Sequence, residues 1–231
     1  MAQDRTKLWY LKNIAAFSNL NDEEVRMIDQ YSIMRGIKKG ETLYLQGSGD
    51  KQIYTLKKRV VKITRLTPQG REIILDIFKE GSIFGEMPFV ESEESNESAE
   101  VVEDGLICIM KKEDFCHLIQ KVPRISIQVT RFMGFRRFKV ENKLIDLLFS
   151  TVEQRLVKTL LNLLDDFGIP RSGDKYLLKI KLTHKDYAAL TASTRETVTA
   201  TINKLKNEGL IEFEGKYVVI KSLNGLRTIA G

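Results

Sequence analysis

Between Arg35 and about Met110 the apolar residues come in short runs, at 42–45, 53–56, 60–66, 72–78, 99–102 and 106–110. Glycines at 36, 40, 47, 49, 70, 81, 85 and 105 punctuate them. Short strands broken by glycine turns predict a β-sandwich or barrel, and Pro68-Gln69-Gly70 marks one turn. The acidic stretch 91–97 reads as an exposed loop. Upstream, residues 8–34 read as short helices, with Asn21 and Glu24 placed to cap one whose buried stripe is Val25 and Ile28. Residues 111–120 are helical, and Pro123 resets the chain. A long helix follows over 124–149. Val129, Met133, Arg136, Val140, Leu144 and Leu147 recur along it at spacings of four and three, and Phe132, Phe135, Phe138, Ile145 and Leu148 form a second series. One stripe packing on the barrel while the other pairs with a second subunit fits this pattern, and so does one buried helix between two domains. Ser150 or Thr151 then caps a helix over 152–167 with Leu156, Leu160, Leu163 and Leu164 facing inward.

The pattern over 183–220 is more specific. Thr183 is placed to N-cap a helix with Asp186 in its first turn, and Tyr187, Ala188 and Leu190 form an apolar side. The small residue lets a crossing helix come close. Ser193 and Glu196 spell an S-x-x-E capping box, which predicts a second helix from about Thr194. Val198, Ile202 and Leu205 form its buried stripe, while Arg195, Glu196, Thr199, Ala200 and Asn203 fall mostly on other faces. Gly209 suits the C-terminal cap, and 210–213 and 216–220 read as a hairpin around Glu214-Gly215. Helix, tight break, capped helix and hairpin make a winged helix-turn-helix, a unit that places its second helix in the major groove of DNA. Arg pairs bidentately with guanine and Glu accepts from the cytosine amino group, so Arg195 and Glu196 are the candidate base readers.

Charge supports this reading. Residues 1–123 carry 18 Lys and Arg against 20 Asp and Glu, residues 124–149 carry 6 against 2, and residues 150–231 carry 13 against 9. The excess of +6 thus lies toward the C-terminal end, as expected of a half that faces nucleic acid. Two cysteines, Cys108 and Cys116, form no disulfide framework, and no apolar run approaches a membrane span. No signal-peptide core opens the chain, and a cytoplasmic protein is expected. An enzyme is not: two histidines, His117 and His184, are too few for a metal site, and no Walker loop or G-x-S-x-G is present. Two thiols are too few for an iron–sulfur cluster within one subunit.

The segment Thr194-Arg195-Glu196-Thr197-Val198, with Leu205 and Gly209-Leu210-Ile211 behind it, resembles the recognition helix of the catabolite activator / fumarate-nitrate reductase regulator (CRP/FNR) family. Lys39-Gly40-Glu41, Gln46-Gly47 and Gly81-Ser82-Ile83-Phe84-Gly85-Glu86 resemble the turns of that family's β-barrel, and Arg155, Leu160 and Leu161 the first helix of its DNA-binding domain. The resemblance runs over roughly residues 10–222. It implies an α+β chain in three parts: a cyclic-nucleotide-binding-like barrel with flanking helices over 1–123, a dimerisation helix over 124–149, and a winged helix-turn-helix over 150–231. It implies a homodimer on near-palindromic double-stranded DNA, joined through Val129, Met133, Arg136, Val140, Leu144 and Leu147. The expected DNA contacts are Arg195 and Glu196, with Thr194, Thr197, Thr199, Ala200, Lys204, Lys185 and His184 around them. The loop from Gly168 to Asp174 sits where family activators touch RNA polymerase.

The effector pattern departs from the family. Gly85-Glu86 is kept, but Glu97-Ser98-Ala99 stands where an Arg-Ser-Ala signature binds the cyclic phosphate. A carboxylate there repels the ligand and removes a bidentate donor. Val140-Glu141 stands where relatives present Thr-Ser to adenine. Cyclic AMP is therefore not expected as a cofactor, and no other cofactor or metal is predicted. Gly85, Glu86, Glu97, Ser98, Arg136, Val140 and Glu141 remain the effector-pocket candidates. A cyclic-nucleotide-binding module with an atypical pocket, acting on another protein, is the alternative reading.

Overall fold

The computed structural model describes residues 20–49, 51–85, 95–173 and 175–231. Two compact units emerge: one holds Met1–Leu66 and Asp76–Phe138, the other Thr67–Leu75 and Lys139–Gly231.

The first unit opens with helix α1 (Asp22–Tyr31), capped reciprocally by Asn21 and Glu24 as the spacing predicts. The chain runs from it directly into β1 (Ser32–Ile37). The other strands are β2 (Thr42–Tyr44), β3 (Gln52–Lys58), β4 (Val61–Leu66), β5 (Glu72–Phe78), β6 (Ile83–Gly85), β7 (Ser98–Val101) and β8 (Gly105–Lys111). They form two four-stranded sheets, ordered β1-β8-β3-β6 and β2-β7-β4-β5. In the first, β8 lies antiparallel to both β1 (Met34 opposite Cys108) and β3 (Thr55 opposite Cys108). In the second, Ala99 of β7 pairs with Tyr44 on one side and Ile63 on the other. Helix α2 (Lys112–Lys121) and the start of α3 (Pro123–Phe149) cover the first sheet. Val25, Ile28, Ile53, Ile83, Met110, Phe115, Leu118, Val122, Ile125 and Val129 close that core.

Sequence periodicity predicted six of these strands and missed two. β1 exposes Ile33 and buries only its end residues, so it lacks alternation, and β6 is three residues long. Residues 32–34 are strand, not the tail of the predicted helical stretch, whose part before Leu20 lies outside the described residues.

The second unit contains α4 (Val152–Phe167), with Thr151 and Gln154 forming its capping box and Leu156, Val157, Leu160 and Leu163 buried. Helices α5 (His184–Thr191), α6 (Arg195–Asn207) and α7 (Leu223–Ala230) pack against it. A four-stranded sheet ordered β11-β12-β10-β9 completes the unit, with β9 (Gly168–Arg171), β10 (Lys175–Leu178), β11 (Ile211–Glu214) and β12 (Tyr217–Ile220). The expected loop over 168–174 is thus no plain loop where it is described, over 168–173: Ile169 pairs with Leu177 across a β9–β10 hairpin. Gly168 and Pro170 masked the strand in the sequence. The segment 67–75, the turn after β4 and the first residues of β5, also belongs to this unit. There Lys143 Nζ donates to the Ile74 carbonyl at 2.6 Å, and Lys185 Nζ lies 3.7 Å from Glu72.

Candidate nucleic-acid interface and sensor-domain cluster

The helix-turn-helix is built from local hydrogen bonds. Asp186 is buried at the head of α5, where it accepts the Thr183 amide at 2.8 Å and the Thr183 hydroxyl at 2.6 Å. Next to it Tyr187 is fully buried, and burial, then the Asp186 charge, push its phenol far above the usual range. Thr191 donates back to the Tyr187 carbonyl at 2.8 Å, and Ala192 turns the chain in the left-handed region at φ 49. The Arg155 guanidinium ties this break to α4, donating to the carbonyls of Thr191 at 2.9 Å and Ser150 at 2.8 Å. A single arginine carries no spacing signal, so nothing in the sequence pattern revealed this bracket.

The cap of α6 corrects the predicted one. Thr194, not Ser193, is the N-cap: its hydroxyl accepts the Thr197 amide at 3.2 Å. Glu196 consequently sits one position too early to close a capping box. Arg195 and Glu196 are both exposed, and neither side chain makes a hydrogen bond or ion pair with another described residue. Thr197 shares a 2.9 Å contact with Thr194, and Ala200 is exposed. Thr199 donates to the Arg195 carbonyl at 2.7 Å and meets His184 Nδ1 at 2.8 Å. Lys204 bonds Glu153 of α4 at 2.8 Å, which raises its pKa, and also approaches Glu208 at 3.9 Å. This half-exposed lysine therefore braces two helices, a role its place on the polar face did not reveal. Beyond α6, Gly209 takes φ +72 and the chain enters the β11–β12 wing, where Phe213 carries Lys206 at 5.7 Å.

In the first unit, Gly85 takes φ +101, and a Cβ there would lie 2.4 Å from the Gln52 carbonyl oxygen. Backbone approach alone demands this glycine. Glu86 lies outside the described residues. Ser98 accepts the Gln46 amide at 2.8 Å. Glu97, expected in an exposed acidic loop, is only 17% exposed. Its Oε2 accepts from Arg136 at 2.6 Å and its Oε1 from the Tyr44 hydroxyl at 3.2 Å. Burial, then the Glu97 charge, drive the Tyr44 phenol far above its ordinary range. The Arg136 guanidinium lies 5.6 Å from the Phe78 ring centre. Tyr44 and Tyr54 stack at 5.5 Å, Tyr54 and Phe84 at 5.4 Å, and Phe78 meets Phe84 at 5.3 Å and Phe132 at 5.9 Å. A continuous aromatic row thus backs one carboxylate–guanidinium pair. These rings are far apart in sequence, which kept the cluster from being anticipated. Val140 and Glu141 lie in the second unit and are exposed.

Along α3 the predicted dimer stripe divides. Val129 is 2% exposed inside its own protomer's core and Met133 packs beside it, so Val129 has no surface to offer a second copy. Arg136 is engaged by Glu97. Val140, Leu144 and Leu147 are exposed, together with Phe135, Phe138, Ile145 and Leu148. Cys108 is buried and Cys116 half-buried. Among the described residues no group of His, Cys, Asp and Glu is arranged to hold a metal, and no helix is long and apolar enough to cross a membrane.

A cyclic nucleotide-binding domain matches residues 34–122 and a Crp-like helix-turn-helix domain residues 154–229. The chain is 31% identical over 182 residues to the CRP-like cAMP-activated global transcriptional regulator of Mycobacterium tuberculosis, covering 79% of this chain and 81% of that protein. It is 28% identical over 221 residues to the cyclic AMP receptor protein of Thermus thermophilus, covering 95% and 98%. In fold it is similar to the c-di-GMP responsive regulator CLP of Xanthomonas campestris, with TM-score 0.76 at 22% identity over 87% of this chain and 100% of that one. Family regulators of this kind are transcription factors rather than enzymes. With its cyclic-nucleotide-binding-type sheet domain, long central helix and C-terminal helix-turn-helix, the chain belongs to the CRP/FNR family of transcriptional regulators.

Proposed function

We propose that this protein reads double-stranded DNA through α6 as a homodimer, and does so without cyclic AMP. The observation that carries the reading is the Thr194 cap, which leaves Arg195 and Glu196 exposed and uncommitted at the first turn of α6. Arg195 reads guanine and Glu196 reads cytosine in the major groove. Thr197, Lys185 and the helix N-terminus position phosphates. The exposed residues Val140, Leu144 and Leu147, four and three apart on one face of α3, support pairing of two α3 helices. A two-fold dimer reads half-sites whose centres lie about 34 Å apart. The β9–β10 hairpin, with Ile169, Pro170 and Arg171 exposed, is the surface proposed for RNA polymerase.

Independence from cyclic AMP rests on Glu97. A cyclic phosphate entering beside it meets a carboxylate already satisfied by Arg136 and Tyr44, so binding costs both the existing pair and a like-charge contact. The test is selection of binding sites from a random duplex library, followed by titration of the enriched duplex with and without cyclic AMP and cyclic GMP, and calorimetry with each nucleotide. Enrichment of a near-palindrome with unchanged affinity in the presence of nucleotide is expected. Nucleotide binding in the micromolar range that tightens DNA affinity about tenfold, near 1.4 kcal/mol of coupling, overturns the independence from cyclic AMP; nucleotide binding with no duplex enriched supports the atypical cyclic-nucleotide module instead. No enrichment at all defeats the DNA reading.

A further inference from the structure

We propose that His184 is a positioning residue for base readout: its Nδ1–H holds Thr199, and through Thr199 the backbone of Arg195, in the orientation that aims α6 at the bases. The inference rests on the DNA reading above and assigns a task inside it.

The direction of the bond follows from counting protons. The Thr199 hydroxyl owns one proton, and its 2.7 Å contact with the Arg195 carbonyl uses it, since that oxygen has no proton to give. Only hydroxyl lone pairs then face the imidazole at 2.8 Å. Nδ1 must therefore carry the hydrogen, and His184 donates to Thr199. The result is a relay from the first residue of α5, through a side chain one turn into α6, to the main chain of the first residue of α6.

The position of this relay gives it consequence. Burial of Val198, Ile202 and Leu205 sets which face of α6 points inward, but apolar packing is non-directional and leaves the last degrees of rotation about the helix axis open. A hydrogen bond from a ring fixes that rotation. Bidentate pairing at a base edge tolerates an error of only about 10–20°, so the rotation of α6 decides whether Arg195 meets its base. The wing buttresses the same ring: Phe213 of β11 lies 6.3 Å from His184, tilted by 56°. Helix α5, helix α6 and the wing thus meet at one imidazole. His184 and Thr199 lie fifteen residues apart, a spacing that no helical or strand periodicity detects.

The experiment separates the two ring nitrogens. In His184→Asn the amide nitrogen falls near the position of Nδ1, and in His184→Gln near that of Nε2. Both variants, with His184→Ala and the isosteric Thr199→Val, are titrated with the duplex enriched by the wild-type chain and with a scrambled duplex at one salt concentration. The expected result is a specific-to-scrambled affinity ratio within about twofold of wild type for Asn. A fall of about tenfold is expected for Gln, Ala and Thr199→Val, with affinity for scrambled DNA little changed. The double variant His184→Ala, Thr199→Val is expected to be no worse than either single, because one interaction is lost. Long-range 15N–1H correlation on the free protein is expected to show the Nδ1–H form. A wild-type ratio in His184→Ala, rescue by Gln in place of Asn, or an Nε2–H form in the free protein would each overturn the proposal. Should the alanine variant not fold, the Asn/Gln pair and Thr199→Val still decide. If the wild-type chain enriches no duplex, the DNA reading falls and the positioning role with it. Enrichment by wild type with an unchanged ratio in the variants removes the positioning role alone.

Discussion

Removing the guanidinium of Arg136 while keeping its apolar stem, as in Arg136→Met, leaves the Glu97 carboxylate beside the Tyr44 hydroxyl without its cation. The pair is short, at 2.6 Å, with side chains 21% and 17% exposed. Charge centres about 4 Å apart attract by about 4 kcal/mol at an effective dielectric of 20. Partial solvent access trims that figure, and the methionine keeps the contact with Phe78. A loss of about 2–3 kcal/mol in unfolding free energy near neutral pH is therefore expected. The decisive comparison is the neutral double variant Glu97→Gln, Arg136→Met. It removes both charges, so no carboxylate is stranded, and about 1 kcal/mol separates it from wild type. Urea unfolding followed by circular dichroism measures all three proteins, with midpoints compared at a common slope. If single and double variants lose the same amount, the effect is lost packing over Phe78 and the electrostatic reasoning is wrong. If Arg136→Met matches wild type, the pair contributes nothing net.

Arg195→Ala is expected to cost about 1–3 kcal/mol on the enriched duplex and little on scrambled DNA, read by fluorescence anisotropy; equal losses on both would assign Arg195 to phosphates. Thr194→Ala, which removes the cap of α6, should lower unfolding free energy by about 1 kcal/mol, whereas Ser193→Ala should do little; the reverse order in a urea titration contradicts the observed cap. Val140→Asp should convert a dimer into monomers in sedimentation at micromolar concentration, and a wild-type monomer there defeats the dimer proposal. Alkaline stability follows from Tyr44 and Tyr187, whose pKa values are raised chiefly by burial and then by Glu97 and Asp186 respectively. For a raised group the stabilisation is complete below the unfolded pKa, about 10 for tyrosine, and is lost as pH climbs above it. The expected slope is up to about 1.4 kcal/mol per pH unit for each tyrosine; a flat profile between pH 10 and 12 in denaturant titrations refutes this.

The sequence disclosed what repeats at short range. The Asn21–Glu24 box and the Thr183 cap stand where residue spacing put them, while of Ser150 and Thr151 it is Thr151 that caps α4, with Gln154 as a partner the spacing left unnamed. So do the buried stripes Leu156, Leu160 and Leu163 of α4 and Val198, Ile202 and Leu205 of α6. It misplaced one cap by a residue, because Ser193 and Thr194 are both good caps and only the preceding turn at Ala192 decides which amide is left open. Helix α7 went unpredicted because it follows a strand after one short turn and carries a single buried residue, Leu226. The sensor-domain cluster was legible only as an anomaly. Glu97 and Arg136 stand out in the sequence as a departure and a candidate, but their pairing joins the residue before β7 to α3 across thirty-nine positions. Tyr44, Tyr54, Phe78 and Phe84 alternate with other apolar residues and look like ordinary strand interior until the sheets bring their rings together.

Charge shows the same gap between count and arrangement, and here it bears on function. The C-terminal segment from residue 150 carries thirteen cations, but a count overstates what DNA can use. Lys158 is held by Asp146 at 2.6 Å, Lys204 by Glu153 at 2.8 Å, and Lys221 by Glu212 at 3.2 Å. Arg155 is spent on the carbonyls that fix the helix-turn-helix break. A cation already paired gains little from a phosphate, because the exchange strands its first partner and releases no net counterion. Lys185 is the intermediate case: it is 71% exposed and 3.7 Å from Glu72, close enough to be partly neutralised and free enough to swing away. The salt dependence of DNA binding is therefore set by fewer residues than the sequence charge implies. In the proposed reading, sequence discrimination falls to the exposed pair at the start of α6, held by the Thr194 cap and the His184–Thr199 contact.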